Sequence, residues 1–159
     1  MADAILEEVA DRLMRAGWPL AGAVQINPDG PPGGKCHMDL HILASDRIVR
    51  ISQNLGALSK GCRLDPSGLE TAVGLAEASL DGSPRLVIAN KFGKQEVDGR
   101  GFRPLIGRAL AMDVPVLVAV GKSNLPGFLE FAGEFAEEIM PNTNAVVAWA
   151  EATSAAAPV

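Results

Sequence analysis

Aromatic residues and cysteines are scarce in this sequence. Tyrosine is absent, and aromatic residues make up 4% of the 159 positions. Proteins that bind single-stranded nucleic acid stack bases on aromatic side chains, so this scarcity, with a net charge of −5, argues against a nucleic-acid partner. Two cysteines and the lack of a secretory leader indicate a cytoplasmic protein. No apolar run approaches the roughly 20 residues that span a bilayer, so we expect no membrane insertion.

Apolar strands alternate with amphipathic helices along the chain, which predicts an α/β fold. Helices are predicted over 3–16, 65–80, 102–110, 125–140 and 145–151, and strands over 20–26, 36–43, 47–53, 85–90 and 114–120. The turn at 44–46 joins two strands into a β-hairpin, which we expect to form an antiparallel flap beside the main sheet. We predict one domain over 1–152, with three layers around a wound, mostly parallel sheet, and a flexible tail over 153–159.

A glycine-containing loop before the second helix is the first candidate site. Backbone N–H groups in such loops converge on anions when a helix N-terminus follows. The candidate ligand-binding residues in this loop are Gly56, Ser59, Lys60, Gly61, Cys62 and Arg63. A nucleotide-binding P-loop would carry Lys and Ser or Thr where Cys62 and Arg63 stand, so the Walker A motif is incomplete. An ordinary flexible connector is the alternative interpretation.

The end of the strand over 85–90 is the second candidate. Nucleotide hydrolases carry an acidic residue at such a strand end to hold magnesium, whereas this chain has Asn90 and Lys91. Ligands of open α/β sheets bind beyond the carboxyl ends of the strands. Asn90, Lys91, Gly93 and Lys94 are therefore predicted to line the functional edge, with Asn90 orienting a ligand. The similar-looking Gly121-Lys122-Ser123 lacks the required earlier glycine and predicts only a turn.

Cysteine and histidine residues suggest a different, metal- or thiol-based site. In the predicted strand over 36–43, His37, Asp39 and His41 share one face. Cys36 and Cys62 flank the hairpin and could meet, which makes Cys36, Asp39 and Cys62 candidate metal ligands. A solvated strand face and a reduced cysteine pair are the alternatives. The sequence contains no Ser-His-Asp arrangement, no phosphatase-type C-x-x-x-x-x-R motif and no G-x-S-x-G motif.

The segment Leu86-Val-Ile-Ala-Asn-Lys-Phe-Gly-Lys-Gln-Glu-Val-Asp-Gly99 resembles an uncharacterised bacterial family, domain of unknown function 2478. Residues 21–26, 36–40, 50–56 and 61–65 are also similar to it. The resemblance implies a fold like that of the P-loop nucleoside triphosphatases, and some members of the family are associated with molybdenum uptake. Relatives begin with a strand and a glycine-containing turn before the first helix here. The resemblance therefore implies either that the true start lies upstream or that the fold lacks its first strand and Walker A loop.

These observations lead to a functional hypothesis with two alternatives. We expect a cytoplasmic protein that binds phosphate, a nucleotide or an oxyanion without hydrolysing it, and we assign it no cofactor. A metal or thiol site, or a non-catalytic interaction module, are the alternatives. A sheet without an inner strand would expose unpaired edges, which predicts a homodimer formed through a sheet edge.

Overall fold

The structure is a computed structural model that describes residues 2–26, 37–53 and 63–155. The helices in these ranges are α1 (Ala2–Arg15), α2 (Pro66–Ala78), α3 (Lys94–Val97), α4 (Arg103–Ala111), α5 (Leu125–Ala132) and α6 (Thr143–Ala155). The strands are β1 (Leu20–Ile26), β2 (Asp39–Ile42), β3 (Ile48–Arg50), β4 (Ser52–Gln53), β5 (Arg63–Leu64), β6 (Leu86–Phe92) and β7 (Val116–Val120). Six predicted site residues lie outside the described residues: Cys36, Gly56, Ser59, Lys60, Gly61 and Cys62.

Five strands form one open, mixed sheet in the order β3-β2-β1-β6-β7. Strand β1 is parallel to β6, and β6 is parallel to β7. Strand β2 is antiparallel to both β1 and β3, with Ile26 opposite Asp39 and Asp39 opposite Arg50. The hairpin is thus part of the main sheet, so the prediction of a separate flap was wrong. The sheet is mixed, because β2 runs opposite to the other four strands. Short strands β4 and β5 pair with each other in a second, two-stranded sheet.

The sheet is paired without interruption through its centre. Strand β6 is hydrogen-bonded to β1 on one side and to β7 on the other. The expected unpaired inner edge is therefore absent from the described part of the sheet. Self-association through a sheet edge stays a prediction, and it concerns the two outer strands, β3 and β7.

Two apolar clusters cover the two faces of the sheet. Helices α2 and α4 pack on one face, where Leu69, Val73 and Leu105 are buried. Helices α1 and α6 cover the other face, where Leu13 and Val146 are buried with Ile88 of β6. Hydrogen bonds join α1 to α6: Arg12 donates to Asn144 at 2.8 Å, and Thr143 donates to Glu8 at 3.1 Å. The described residues therefore form helix, sheet and helix layers.

Helix α2 begins where the sequence predicted. The Asp65 carboxylate accepts a hydrogen bond from the Ser67 N–H at 3.0 Å, and Pro66 occupies the first helical position. An aspartate cap satisfies one of the free N–H groups of the first turn, and proline loses nothing there because that N–H has no helical partner. Local chemistry alone therefore fixes this boundary.

The predicted fourth helix is shorter than its apolar pattern indicated. Helix α5 ends at Ala132 because Gly133 adopts a positive φ of +54°, which directs the chain out of the helix. Phe128 and Phe131 still pack on the Phe92 ring, with centroids 5.3 Å and 5.5 Å apart. Phe135 falls within the helix predicted over 125–140, but it lies beyond the break and is 74% exposed. In the sequence, the phenylalanines therefore keep a helical spacing past Ala132, the residue at which the helix ends.

Each helix in residues 2–26, 37–53 and 63–155 is too short or too polar to cross a bilayer.

Candidate functional site

The carboxyl ends of the parallel strands meet at one edge of the sheet. Strands β1, β6 and β7 end there at Ile26, Phe92 and Val120. We call this region the carboxyl edge. Helix α1 starts at the same place, because its Asp3 contacts Asn90 near the end of β6. In open α/β sheets this is where ligands bind, so the residues of the carboxyl edge form the candidate site.

The buried residue Asn90 joins α1, β1 and β6. Its Oδ1 accepts a hydrogen bond from the Gln25 N–H at 2.8 Å, and its Nδ2 donates to Asp3 Oδ1 at 3.1 Å. Asn90 is only 1% exposed, so its amide has no surface for a ligand. This differs from the predicted ligand-orienting role. Asn90 instead fixes the start of α1 against the strand ends, and it acts on the site as a positioning residue.

Replacing Asn90 with alanine should destabilise the protein by about 2 kcal/mol, because two hydrogen bonds are lost and a small cavity is left. Denaturant unfolding of Asn90→Ala measures this loss. Asn124→Ala is the control, since the Asn124 side chain makes no cap hydrogen bond to α5 and is partly exposed. A change in Asn90→Ala no larger than that of the control would contradict the positioning role.

Lys91 and Lys94 are exposed on either side of Gly93. Strand β6 continues through Phe92, two residues past the predicted end, so Lys91 lies in the strand and Lys94 begins α3. The Lys91 side chain runs alongside Gly93: its Cε lies 3.7 Å from the position that a Cβ on Gly93 would take. Within the described ranges, neither lysine forms an ion pair with an acidic residue. Two uncompensated ammonium groups therefore stand at the end of the central strand.

Glu96 is a buried carboxylate that organises the loop after β6, and sequence reasoning missed it. Its Oε1 accepts from the Gly93 N–H at 2.8 Å and its Oε2 accepts from the Phe102 N–H at 2.9 Å. The side chain is only 4% exposed. Because Glu96 occupies the Gly93 N–H, this amide is not free for an anion, unlike the role predicted for Gly93. The Gly-x-x-Glu spacing of 93–96 matches half of a capping box, and this signal could have revealed Glu96.

Neighbouring side chains hold the same loop in place. The Gly101 N–H donates to Glu70 of α2 at 2.9 Å. The Arg103 guanidinium donates to the Val97 carbonyl at 3.1 Å and lies 4.8 Å from the Phe131 ring centroid. The loop that carries Lys94 is therefore anchored to α2 and α5. These contacts hold the segment that follows Lys91 and carries Lys94 in place.

The residues on both sides of the glycine-containing loop lie near the carboxyl edge. Strand β3 runs parallel to β1, since both are antiparallel to β2, so Arg50 at its end lies at the carboxyl edge. The Asp65 N–H then donates to the Ile51 carbonyl at 2.7 Å, and Gln53 pairs with Arg63. The flanks of residues 54–62 are thus close to each other and to this edge. The predicted contributions of Lys60 and the Arg63 side chain stay predictions.

The hairpin residues proposed as metal ligands are engaged with Arg50. Arg50 forms an ion pair with the buried Asp39 carboxylate, and its Nη1 donates to His37 Nδ1 at 3.0 Å. His41 instead contacts the Ser45 carbonyl at 3.1 Å. No group of three histidine, cysteine or acidic side chains that could hold a metal occurs among the described residues. Asp39 therefore acts here as a partner of Arg50, and Cys36 and Cys62 stay untested.

A third lysine belongs to the carboxyl edge. Lys122 follows the end of β7 and is exposed. The sequence predicted only a turn here, which the structure shows as a 3-10 turn over Lys122–Asn124. Since β6 and β7 are adjacent and parallel, Lys122 stands on the same edge as Lys91 and Lys94. Its position could have been inferred from the neighbouring strand ends.

A groove beside the β1 end of this edge is acidic. This groove of about 380 Å³ runs between α1 and the β1–β2 pair, and it is lined by Glu7, Glu8 and Asp11. These carboxylates repel anions, so this groove does not suit the predicted ligand. The cationic carboxyl edge remains the candidate site.

The chain is an α/β protein with an open sheet and a cationic carboxyl edge, and sequence comparison gives its family. It belongs to the family described as "Protein of unknown function (DUF2478)", whose profile matches residues 1–149. The resemblance seen in the sequence is thereby confirmed.

A curated relative is named molybdenum import ATP-binding protein ModC 2 and comes from Bradyrhizobium diazoefficiens. It is 32% identical over 152 residues, which are 96% of this chain and 17% of the relative. The chain thus spans about a sixth of that protein. No solved structure matches the chain significantly.

Proposed function

We propose that this chain binds a small anion, or the phosphate groups of a nucleotide, at the carboxyl edge of its sheet and does not hydrolyse it. The observation that carries the proposal is the pair of exposed, uncompensated lysines, Lys91 and Lys94, held at the end of the central strand by the rigid loop of Glu96. Ammonium groups bind phosphate as point charges, and a fixed backbone lowers the entropy lost on binding.

Three acidic residues near this edge are already paired with other groups of the protein. Both Glu96 oxygens accept backbone hydrogen bonds, and Asp39 is paired with Arg50. Asp3 contacts Asn90. These carboxylates are engaged by groups of the protein, whereas Lys91 and Lys94 are not. An incoming anion would therefore meet more free positive than negative charge.

The lack of hydrolysis follows from the residues at the strand end. Magnesium in nucleotide hydrolases is held by carboxylate oxygens and substrate phosphates. Strand β6 offers the buried amide of Asn90 and the ammonium group of Lys91 instead. A lysine at this position repels a divalent cation, so binding without turnover is the function that these residues favour.

The name of the curated relative suggests which anions to test. That protein is described as an ATP-binding protein of molybdenum import, and this chain covers only 17% of it. Nucleotides and molybdate are therefore candidate ligands here, together with inorganic phosphate. All three are anions with oxygen atoms that accept hydrogen bonds from lysine.

The metal or thiol hypothesis and the interaction-module hypothesis make different predictions. A metal site would leave bound zinc or copper in purified protein, although the Asp39–Arg50 ion pair does not favour it. An interaction module would show a stable protein partner and no response to anions. Metal analysis and anion titration therefore separate the three hypotheses.

We expect the double variant Lys91→Ala/Lys94→Ala to bind these anions at least about tenfold more weakly, since one hydrogen bond to a charged group contributes about 1.5–3 kcal/mol. Isothermal titration with ATP, phosphate and molybdate measures the affinity of each. Binding should also weaken as salt is raised, because the ammonium groups are exposed.

The matched control is Arg15→Ala/Arg47→Ala, which removes the same number of positive charges. Arg15 ends α1 and Arg47 precedes β3, so both lie at the opposite end of the sheet. The control should bind like the unmodified protein. Equal losses in the two double variants would show a non-specific charge effect. The absence of any binding by the unmodified chain, or turnover of ATP that needs Lys91, would overturn the proposal.

A further inference from the structure

The two outer strands of the sheet differ in how well their edges are protected. Strand β7 contains only apolar residues, without charge or proline, over Val116–Val120. It pairs with β6 alone in the ranges that the structure describes. Strand β3 has three residues, follows Arg47 and ends at Arg50. Short strands and charged residues protect sheet edges from pairing, so by sequence β7 is the less protected of the two described edges.

The backbone groups of β7 that face outward can be identified from the ladder. The Val87 N–H of β6 donates to the Pro115 carbonyl at 3.0 Å. Because successive residues of a strand direct their polar backbone groups to opposite sides, Val116 and Val118 direct theirs away from β6. These groups form a row of donors and acceptors on the outer edge. A further strand could continue the sheet there.

Charges at the two ends of β7 favour a second copy of the same chain, in antiparallel orientation. Asp113 lies just before the strand and Lys122 just after it, and both are exposed. Neither forms an ion pair with another described residue. Antiparallel pairing brings each Asp113 towards Lys122 of the partner subunit, and two-fold symmetry makes this contact twice. Parallel pairing would place like charges together.

Exposed apolar side chains flank the strand on both sides in the sequence. Leu110 and Met112 precede β7, and Leu125 and Leu129 follow it; each is more than one-third exposed. Exposed large apolar residues are the kind of surface that protein interfaces cover. They would add buried apolar surface to the backbone hydrogen bonds of a paired edge.

We propose that the chain forms a two-fold symmetric homodimer in which β7 pairs antiparallel with β7 of a second copy, so that one sheet continues through both copies. The proposal identifies β7, and not β3, as the edge responsible. It does not depend on the two lysines that carry the proposed anion binding, Lys91 and Lys94, although Lys122 lies at the same edge. Loss of anion binding would therefore leave it intact.

The test replaces one outward-facing residue on each edge with proline. Val118→Pro removes an outward N–H of β7 and leaves the β6–β7 ladder in place, because proline is tolerated where the N–H faces solvent. On the opposite edge, Ile42 of β2 donates to the Arg47 carbonyl, so the next residue, Ile48, faces outward in β3. Ile48→Pro is therefore the control for the loss of an outward N–H, although Val118 also packs on the apolar core and Ile48 is exposed.

Sedimentation velocity over a concentration series gives the dimer dissociation constant for each protein. Since symmetry doubles each lost contact, Val118→Pro should raise the dissociation constant by about tenfold or more, and Ile48→Pro should leave it unchanged. A monomeric unmodified chain would overturn the proposal. So would a dimer that survives Val118→Pro, or one that is lost in Ile48→Pro.

A surface variant provides an independent readout if circular dichroism shows that Val118→Pro is unfolded. Lys122→Glu reverses one exposed charge and should also weaken the dimer, because Asp113 then faces a glutamate of the partner subunit. The double variant Asp113→Lys/Lys122→Glu exchanges the charges and should restore the dimer. Equal dimerisation in Lys122→Glu and the unmodified chain would overturn the antiparallel arrangement.

Discussion

Gly22→Ala is expected to destabilise the protein by about 4 kcal/mol, because β1 and β6 approach too closely for a side chain at this position. A Cβ on Gly22 would lie 2.0 Å from the Ile88 carbonyl oxygen and 2.8 Å from its carbon. Gly22 also has a φ of +103°, which L-residues rarely adopt. The obstacle is the backbone of the central strand, so no side-chain movement can relieve it.

Thermal and denaturant unfolding measure this effect, and a fall in melting temperature of about 10 °C is expected. Gly74→Ala is the control. Gly74 lies in α2, where nothing stands within 4 Å of an added Cβ, and alanine favours a helix by about 1 kcal/mol over glycine. The same chemical change should therefore have opposite signs at the two positions. A Gly22→Ala protein as stable as the unmodified chain would show that β1 and β6 are not spaced as described.

Glu96→Ala should destabilise the protein by about 3 kcal/mol, because the buried N–H groups of Gly93 and Phe102 both lose their acceptor. Gly101→Ala should cost a similar amount for a related reason. A Cβ on Gly101 would lie 1.8 Å from Glu96 Oε2, and Gly101 has a φ of +58°. Once Glu96 is shortened to alanine, the steric conflict disappears and only the backbone cost of about 1 kcal/mol remains. The double variant should therefore be about 2 kcal/mol more stable than the sum of the single effects predicts.

Gly99→Ala is the matched control for this cycle. Gly99 is in the same loop with a φ of +88°, but nothing lies within 4 Å of its added Cβ. Its cost of about 1 kcal/mol should not depend on Glu96. Additive effects of Glu96→Ala and Gly101→Ala, within about 0.5 kcal/mol, would contradict the buried contact between these residues.

Elements whose signals are local could be predicted from the sequence. Asp65 and Pro66 set the start of α2, and the apolar run of β1 marks a buried strand. Features that depend on distant partners could not. The pairing of β2 with β1 incorporated the hairpin into the sheet, and the positive φ of Gly133 ended a helix whose apolar spacing continued. Periodicity indicates which residues could be buried, but not where the backbone changes direction.

In the candidate site, too, some features could be predicted from the sequence and others could not. Placing Lys91 and Lys94 at the end of a strand required only the general rule for open α/β sheets. The role of Asn90 depends on Gln25 and Asp3, which are 65 and 87 positions away in the chain. Glu96 looked like an ordinary charged loop residue, although the two N–H groups that donate to it, from Gly93 and Phe102, lie within six positions of it. Packing contacts that the sequence pattern does not show therefore decide which polar residues of this edge are exposed and which are buried.

The layer formed by α1 and α6 has a consequence for protein synthesis on the ribosome. Its hydrogen bonds connect residues 132 and 135 positions apart, so α1 emerges long before the helix that packs beside it. Until α6 has been synthesised, one face of the sheet in the nascent chain is incompletely covered. Apolar side chains such as Leu117 then lack their packing partners Val146 and Ala150. We expect this face to be the surface that molecular chaperones recognise during translation.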